Sequence, residues 1–172
     1  MRASILSPLA AVVLAALAAT VSAQSPPQFT AAFTGQFNVS AGYNTAGPFG
    51  TRRHHAMDGG TLSNATTGEV VADILSFSDN GIVTDSGLSF PALIIPLVWR
   101  ADEHFASVST SGVRNESGGT PYSWQYAHVE TDSPTYSWMN GKFFIVQVDS
   151  VSSTVRNFTM YEETSSNMPA SS

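Results

Sequence analysis

Cysteine is absent from this 172-residue chain. Its absence excludes disulfides, thiolate nucleophiles and cysteine-built metal centres. Cations are scarce as well: seven Lys and Arg stand against thirteen Asp and Glu, a net charge of −6. With Arg2 set aside, six stand against thirteen, or −7. Such a chain has no basic patch to neutralise phosphates, so nucleic acid is excluded as a partner and an anionic membrane surface is disfavoured. Several catalytic templates are missing too. There is no Gly-x-Ser-x-Gly elbow, no phosphate-cradling glycine loop before a helix, and no dinucleotide fingerprint. The histidines His54, His55, His104 and His128 form no metal pattern. Neighbours on a strand point to opposite faces, so His54 and His55 do not ligate together, and Glu103-His104 has the same difficulty. No cofactor and no metal are expected.

Long apolar runs are confined to the first residues. Arg2 is followed by the apolar stretch Ile5 to Ala19 and then by Val21-Ser22-Ala23. Small residues at that point suit signal peptidase, so residues 1–23 read as a secretory signal peptide cut after Ala23. The chain is then expected to be secreted, with no membrane attachment after cleavage. Leu93 to Trp99, the next apolar run, is only strand length. Four Asn-X-Ser/Thr triplets, at Asn38, Asn64, Asn115 and Asn157, agree with a eukaryotic secretory route and mark candidate glycosylation sites.

What remains alternates with a period of two. Phe29, Ala31, Phe33, Gly35, Phe37 and Val39 set the pattern, with Gly35 as a bend or bulge. Gly42 to Gly50 reads as a loop, and Asp58-Gly59-Gly60 as a turn. Glu69–Ser76, Ser89–Arg100, Phe105–Ser109, Ser123–Glu130, Lys142–Asp149 and Thr154–Glu162 supply further strands. Pro96 implies an edge or a bulge in its strand. No convincing helix follows the leader. One all-β domain is predicted over residues 24–163, an antiparallel sandwich or closed barrel of about eight to nine strands. Residues 164–172 read as a disordered C-terminal tail.

Three segments carry a resemblance. "GTRRHHAMDGGTLSNATTGEV" (Gly50 to Val70) resembles the early motif of the domain of unknown function 3237 family, also called UPF-0311. "RADEHFASVSTSGVR" (Arg100 to Arg114) resembles its middle section, and "YAHVETDSPTYSWMN" (Tyr126 to Asn140) its late motif. The three occur in the family's order and span most of Phe29 to Glu162. The resemblance implies a single antiparallel calycin-like β-barrel with a small interior cavity. It implies no established reaction. A signal peptide and sequons depart from bacterial members, as does Ser63-Asn64 after Gly-Gly-Thr.

Function is therefore argued from candidate sites. Trp124, Tyr126, His128 and Glu130 share one strand face; Ser123, Gln125, Ala127 and Val129 share the other. If the first face turns inward, it lines a small-molecule pocket with flat walls and proton-transfer groups. If it turns outward, it packs under loops or glycans. His128 and Glu130, with Tyr126, are candidate acid–base residues; the plainer alternative is a surface ion pair. Arg53 is the favoured inward arginine, either binding a ligand oxygen or paired with Asp73, Asp102 or Glu69. Trp99 and Tyr136 are further candidate ligand walls. Trp138 reads as a core plug and Asn140-Gly141 as a turn. The expected partner is a small apolar or aromatic metabolite. The expected function is a secreted binding barrel acting as a cofactor-free cyclase, isomerase or dehydratase in secondary metabolism. The alternative is a non-catalytic interaction or glycan-binding protein.

Overall fold

Phe29–Gly47 (β1) and Gly50–Asn64 (β2) form one long hairpin that turns at Pro48-Phe49. The computed structural model describes residues 26–115 and 122–165; the predicted leader and most of the predicted tail lie outside them. The stretch expected as a loop, Gly42 to Gly50, is mostly strand. Each residue from Gly42 to Gly47 has a partner on β2, and cross-strand pairing outweighs the weak local propensity of Gly and Asn.

The remaining strands are Val70–Ile74 (β3), Phe77–Asp79 (β4), Ile82–Val83 (β5), Leu88–Phe90 (β6), Ala92–Trp99 (β7), Phe105–Asn115 (β8), Tyr122–Thr131 (β9), Phe144–Ser150 (β10) and Val155–Glu163 (β11). All pairings are antiparallel, and β1 bonds to both β2 and β11, which closes an eight-stranded barrel β1-β2-β3-β7-β8-β9-β10-β11. Closure leaves no edge among these eight, as the all-β expectation required. β4 continues the line of β3 after a break at Leu75-Ser76. Pro96 sits beside that break, and its carbonyl accepts the Leu75 N–H at 2.9 Å. A proline is tolerated there because the ladder is already interrupted. Toward one end the β5–β6 hairpin takes over the gap: Arg52 pairs with Ile82, and Ser89 with Arg114.

Asp58-Gly59-Gly60, expected as a turn, is a bulge inside β2. Asn38 faces Gly59 and Val39 faces Met57, so Asp58 has no partner of its own on β1. Met57 and Leu62 are both buried although five positions apart. Strict alternation would put them on opposite faces; the extra residue restores both to the interior.

The interior is graded from end to end. At one end the 3-10 turn Ser137–Gly141 drops Met139 into the barrel at 1% exposure, over Phe33, Trp99 and Phe144. Trp99 stacks on Tyr136 with centroids 3.8 Å apart. Trp138, expected as the plug, is instead 41% exposed and lies flat against Phe33. The three-residue repeat of the turn, not strand alternation, decides which side chain points in. Asn140 fastens the turn: its side chain accepts from the Thr131 N–H at 2.9 Å and donates to the Thr131 carbonyl at 2.8 Å. Aliphatic residues such as Val108, Val129, Val146 and Met160 fill the middle.

Candidate functional site

The opposite end is polar. Buried Thr110 donates from its hydroxyl to Gln125 Oε1 at 2.7 Å, and Ser123 and Ser89 are buried beside them. Above this layer β2 turns Arg53 and His55 onto the same face as Met57. Asp79 is paired with His55 across β2 and β4. Arg114 is the next-to-last residue of β8 and Arg156 the second of β11. His55, Asp79, Arg114 and Arg156 together line one void with Ser123 and Gln125. A second, apolar void beneath shares Phe37, Leu93, Gln125 and Val148 with it. Each holds about 30 Å³. That is the share of one water in the liquid. A larger molecule enters only if the long side chains at the rim swing aside.

Asp79, Arg114, Arg156 and His55 each have an identifiable anchor. Asp79 Oδ1 accepts the Gly81 N–H at 2.9 Å. Arg114 donates to Ser150 Oγ at 2.8 Å, and Arg156 donates to the carbonyl of Val155 at 3.0 Å and to that of Ser152. His55 is seated by what Gly42 lacks. Gly42 faces it across the β1–β2 ladder, and a Cβ there would lie 2.5 Å from the imidazole Cδ2. Burial lowers the pKa of His55 below its ordinary 6.5; Arg53, Arg156 and Arg114 lower it further, against the opposing pull of Asp79.

This has a measurable consequence. Below pH 6.5 the unfolded chain binds a proton at His55 that the folded chain resists. The stability that neutral His55 carries is therefore complete above that pH and is lost as pH falls through the folded pKa. His104 works in the opposite sense, because Asp132 at 3.0 Å raises its pKa. The expected result is that unfolding free energy, followed by urea titration between about pH 7 and about pH 5, falls less steeply in His55→Gln than in the parent. An unchanged slope would remove His55 from the acid response.

The residues singled out from sequence are distributed differently. Trp124, Tyr126, His128 and Glu130 face outward, which corrects the expectation that they line the interior. Ser123, Gln125, Ala127 and Val129 are the inward set. On this strand the inward set is small because large rings from other strands, among them Phe37, Trp99, Phe144 and Phe158, already fill the bore, while its own rings pair across strands outside. Trp124 lies 5.7 Å from Tyr161, and Tyr126 5.0 Å from Phe143. His128 and Glu130 form a loose surface pair at 3.8 Å, their side chains 43% and 73% exposed. Trp99 is fully buried, with its indole N–H donated to Thr131 Oγ1 at 3.0 Å, and Tyr136 is stacked on it; both belong to the plugged end. Arg53 does face the polar end, while Arg52 and His54 turn outward to Asn80. The carboxylates suggested for Arg53 are engaged elsewhere: Asp73 with Arg100 at 2.6 Å, and Asp102 with Ser133 at 2.5 Å. Glu69 is exposed at the start of β3. Asn38 and Asn157 are exposed on the outer faces of β1 and β11, and Asn64 caps a turn through the Thr66 N–H. Asn115 ends β8, with Glu116 and Ser117 of its triplet outside the described residues. Among the described residues no cluster of three metal-ligating side chains occurs.

Larger spaces lie on the outer wall. An open trough of about 750 Å³ runs past Ile94, Ser109, Ser111 and Tyr126, and another of about 680 Å³ past Phe105, Ser107, His128 and Glu130. Both are shallow and open on the outer surface, so electrostatic contacts there are screened. The charged groups converge at the barrel end instead.

No family model matches the chain, and no curated protein matches it. Solved structures do. A β-barrel-like protein from Acinetobacter baumannii AYE aligns at a TM-score of 0.72 and 19% identity, over 83% of this chain and 99% of that one. A conserved protein of unknown function from Rhodopseudomonas palustris aligns at 0.72 and 15%, over 82% and 100%. An enzyme from Penicillium herquei aligns at 0.64 and 11%, over 83% and 98%. At these identities the likeness is one of fold: the chain is a closed antiparallel β-barrel of the kind these proteins share.

Proposed function

We propose that this chain is a secreted, glycosylated barrel that binds a small apolar or aromatic molecule at its polar end. One observation carries the reading. A single mouth gathers Arg53, His55, Asp79, Arg114 and Arg156 over a buried polar layer and an apolar void. An apolar body directed down the bore with a polar head at the rim matches that grading. The reaction class these groups support is cofactor-free proton transfer, as in cyclisation, isomerisation or dehydration, with neutral His55 as the base. An auxiliary role in secondary metabolism is the setting we assign to it. That a barrel of this shape is an enzyme in Penicillium herquei supports catalysis as something the fold can host. Membership of the domain of unknown function 3237 family is part of the same proposal, supported by the three ordered motifs.

Native mass spectrometry of the protein purified from its own source tests this. The expected spectrum shows a retained small molecule, lost in His55→Ala and kept in His128→Ala. Retention that depends on His128 and not on His55 would move the site to the outer wall. A bare polypeptide-and-glycan mass in every preparation would end the binding reading.

The outer wall supports a second reading, a non-catalytic interaction or glycan-binding surface. Ile94 at 66% exposure and Tyr126 at 42% flank a row of serines on β8. Aromatic and aliphatic groups left on a sheet face suit contact with another surface.

A further inference from the structure

Gln125 lies at the junction of the two voids and lines both. It is 7% exposed, and Ser123 and Ser89 beside it are 6% and 9% exposed. The Thr110 hydroxyl donates to Gln125 Oε1 at 2.7 Å, which leaves the amide nitrogen as a donor group with two hydrogens. Among the described residues, neither that nitrogen nor the hydroxyls of Ser123 and Ser89 hydrogen-bonds to another side chain or to the backbone. None of the three is sealed in protein, so each opens on the space it lines. The amide is also seated from behind. Gly112 faces Gln125 across the β8–β9 ladder, and a Cβ there would lie 2.8 Å from Gln125 Cγ. Polar groups this deeply buried normally have partners, and a donor left without one in a dry site is costly. The arrangement calls for a partner from outside the chain.

We infer that the upper void takes the carbonyl oxygen of a ketone, held by the Gln125 amide N–H and the Ser123 hydroxyl. The inference rests on the small-molecule reading above and names its substrate class. Gln125 Nε2 only donates, so the group it meets must accept. A ketone oxygen accepts twice and brings no hydrogen that needs a partner of its own. The void of about 30 Å³ has room for one such oxygen. The void beneath is of the same size and is lined by Phe37, Leu93, Val148 and Phe158, which suits a methyl arm on the carbonyl carbon. The larger arm of the ligand then extends toward the rim. One water molecule would fill the same upper space, and it is the competitor that the ligand must displace.

Two probes of one shape test this: naphthylacetone, and the alkene in which a methylene group replaces its carbonyl oxygen. Calorimetric titration is expected to show the ketone bound at least about fivefold more tightly than the alkene, the scale of one net hydrogen bond. The preference should vanish in Thr110→Val/Gln125→Met, which removes both halves of the buried bond together and nearly keeps the volume. Alkene binding should persist there and shows that the site is folded. Ser123→Ala, a smaller change, should reduce the preference in part, and it decides the matter if the double variant does not fold. Equal binding of ketone and alkene by the parent would overturn the carbonyl assignment while leaving the small-molecule reading intact, and so would a preference that survives both variants. Tighter binding of the alcohol made by reducing the ketone would replace the class by hydroxyl compounds. Binding of none of these probes would overturn the assignment too, and the retained-molecule spectrum then decides the broader reading by itself.

Discussion

Trp99→Ala is expected to lower the unfolding free energy by about 3–5 kcal/mol, the range for emptying a large buried aromatic site. Trp99 has no exposed surface, and its ring is covered by Tyr136 on one side and approached by Phe33 at 6.2 Å. Truncation leaves a hole at the plugged end and removes the indole N–H that the Thr131 hydroxyl now accepts. That hydroxyl also donates to the Phe105 carbonyl at 2.7 Å and accepts the Ser133 N–H, so the loss reaches three connections at once. Tyr136 is expected to follow, because its ring would lose its stacking partner and the 3-10 turn its footing. Urea denaturation checks this. The midpoint should fall with an unchanged slope, and Trp99→Phe should recover a substantial part. A loss below about 1 kcal/mol would mean that Trp99 is not the keystone of this end.

The prediction also marks what could be read before any coordinates. The barrel class was legible because alternation and short strands survive in almost every segment. The plugged end was half legible. Trp99 and Tyr136 stood out as large aromatic residues, but their size suggested ligand walls when it reflected packing. The strand at Tyr122–Thr131 misleads for a related reason. Its outward face carries the bulky rings and its inward face carries Ser, Gln, Ala and Val. Large rings from other strands already occupy the bore, so on this strand the smaller set belongs inside and residue size pointed the wrong way.

The polar mouth was there to be found by extending the apolar faces. Ala106, Val108 and Thr110 are buried, and two steps of two lead to Arg114. Met160 and Phe158 are buried, and one step back leads to Arg156. Neither extrapolation says that β8 and β11 end at the same rim, since that depends on ring closure across distant strands. Asp79 was still less visible, because its pairing with His55 needs the break at Leu75-Ser76 and the bulge opposite. Local composition at Asp58-Gly59-Gly60 argues for a turn, and only the presence of partners on both sides makes it a strand.

That bulge is the subject of the second large effect. Gly59→Ala is expected to cost about 3 kcal/mol, from left-handed backbone strain added to overpacking. Gly59 has φ +94°, where a side chain is strained, and a Cβ there would lie 2.4 Å from the Ile74 carbonyl oxygen. Neither contact can be relieved by rotating a side chain, because the obstacle is the backbone of β3. The structure must either absorb the strain or straighten β2. Straightening shifts the alternation by one, and Arg53, His55 and Met57 would then turn outward while Leu62 stays in. A stability measurement on Gly59→Ala is therefore best joined to an NMR titration of His55. In a variant that folds with the bulge intact, the His55 pKa stays below 6.5. In one that straightens, the imidazole loses its burial and leaves Arg114 and Arg156, and its pKa returns toward that value. A Gly59→Ala chain as stable as the parent, with His55 still shielded, would show that the bulge tolerates a side chain and that the facing of the mouth is fixed by other contacts.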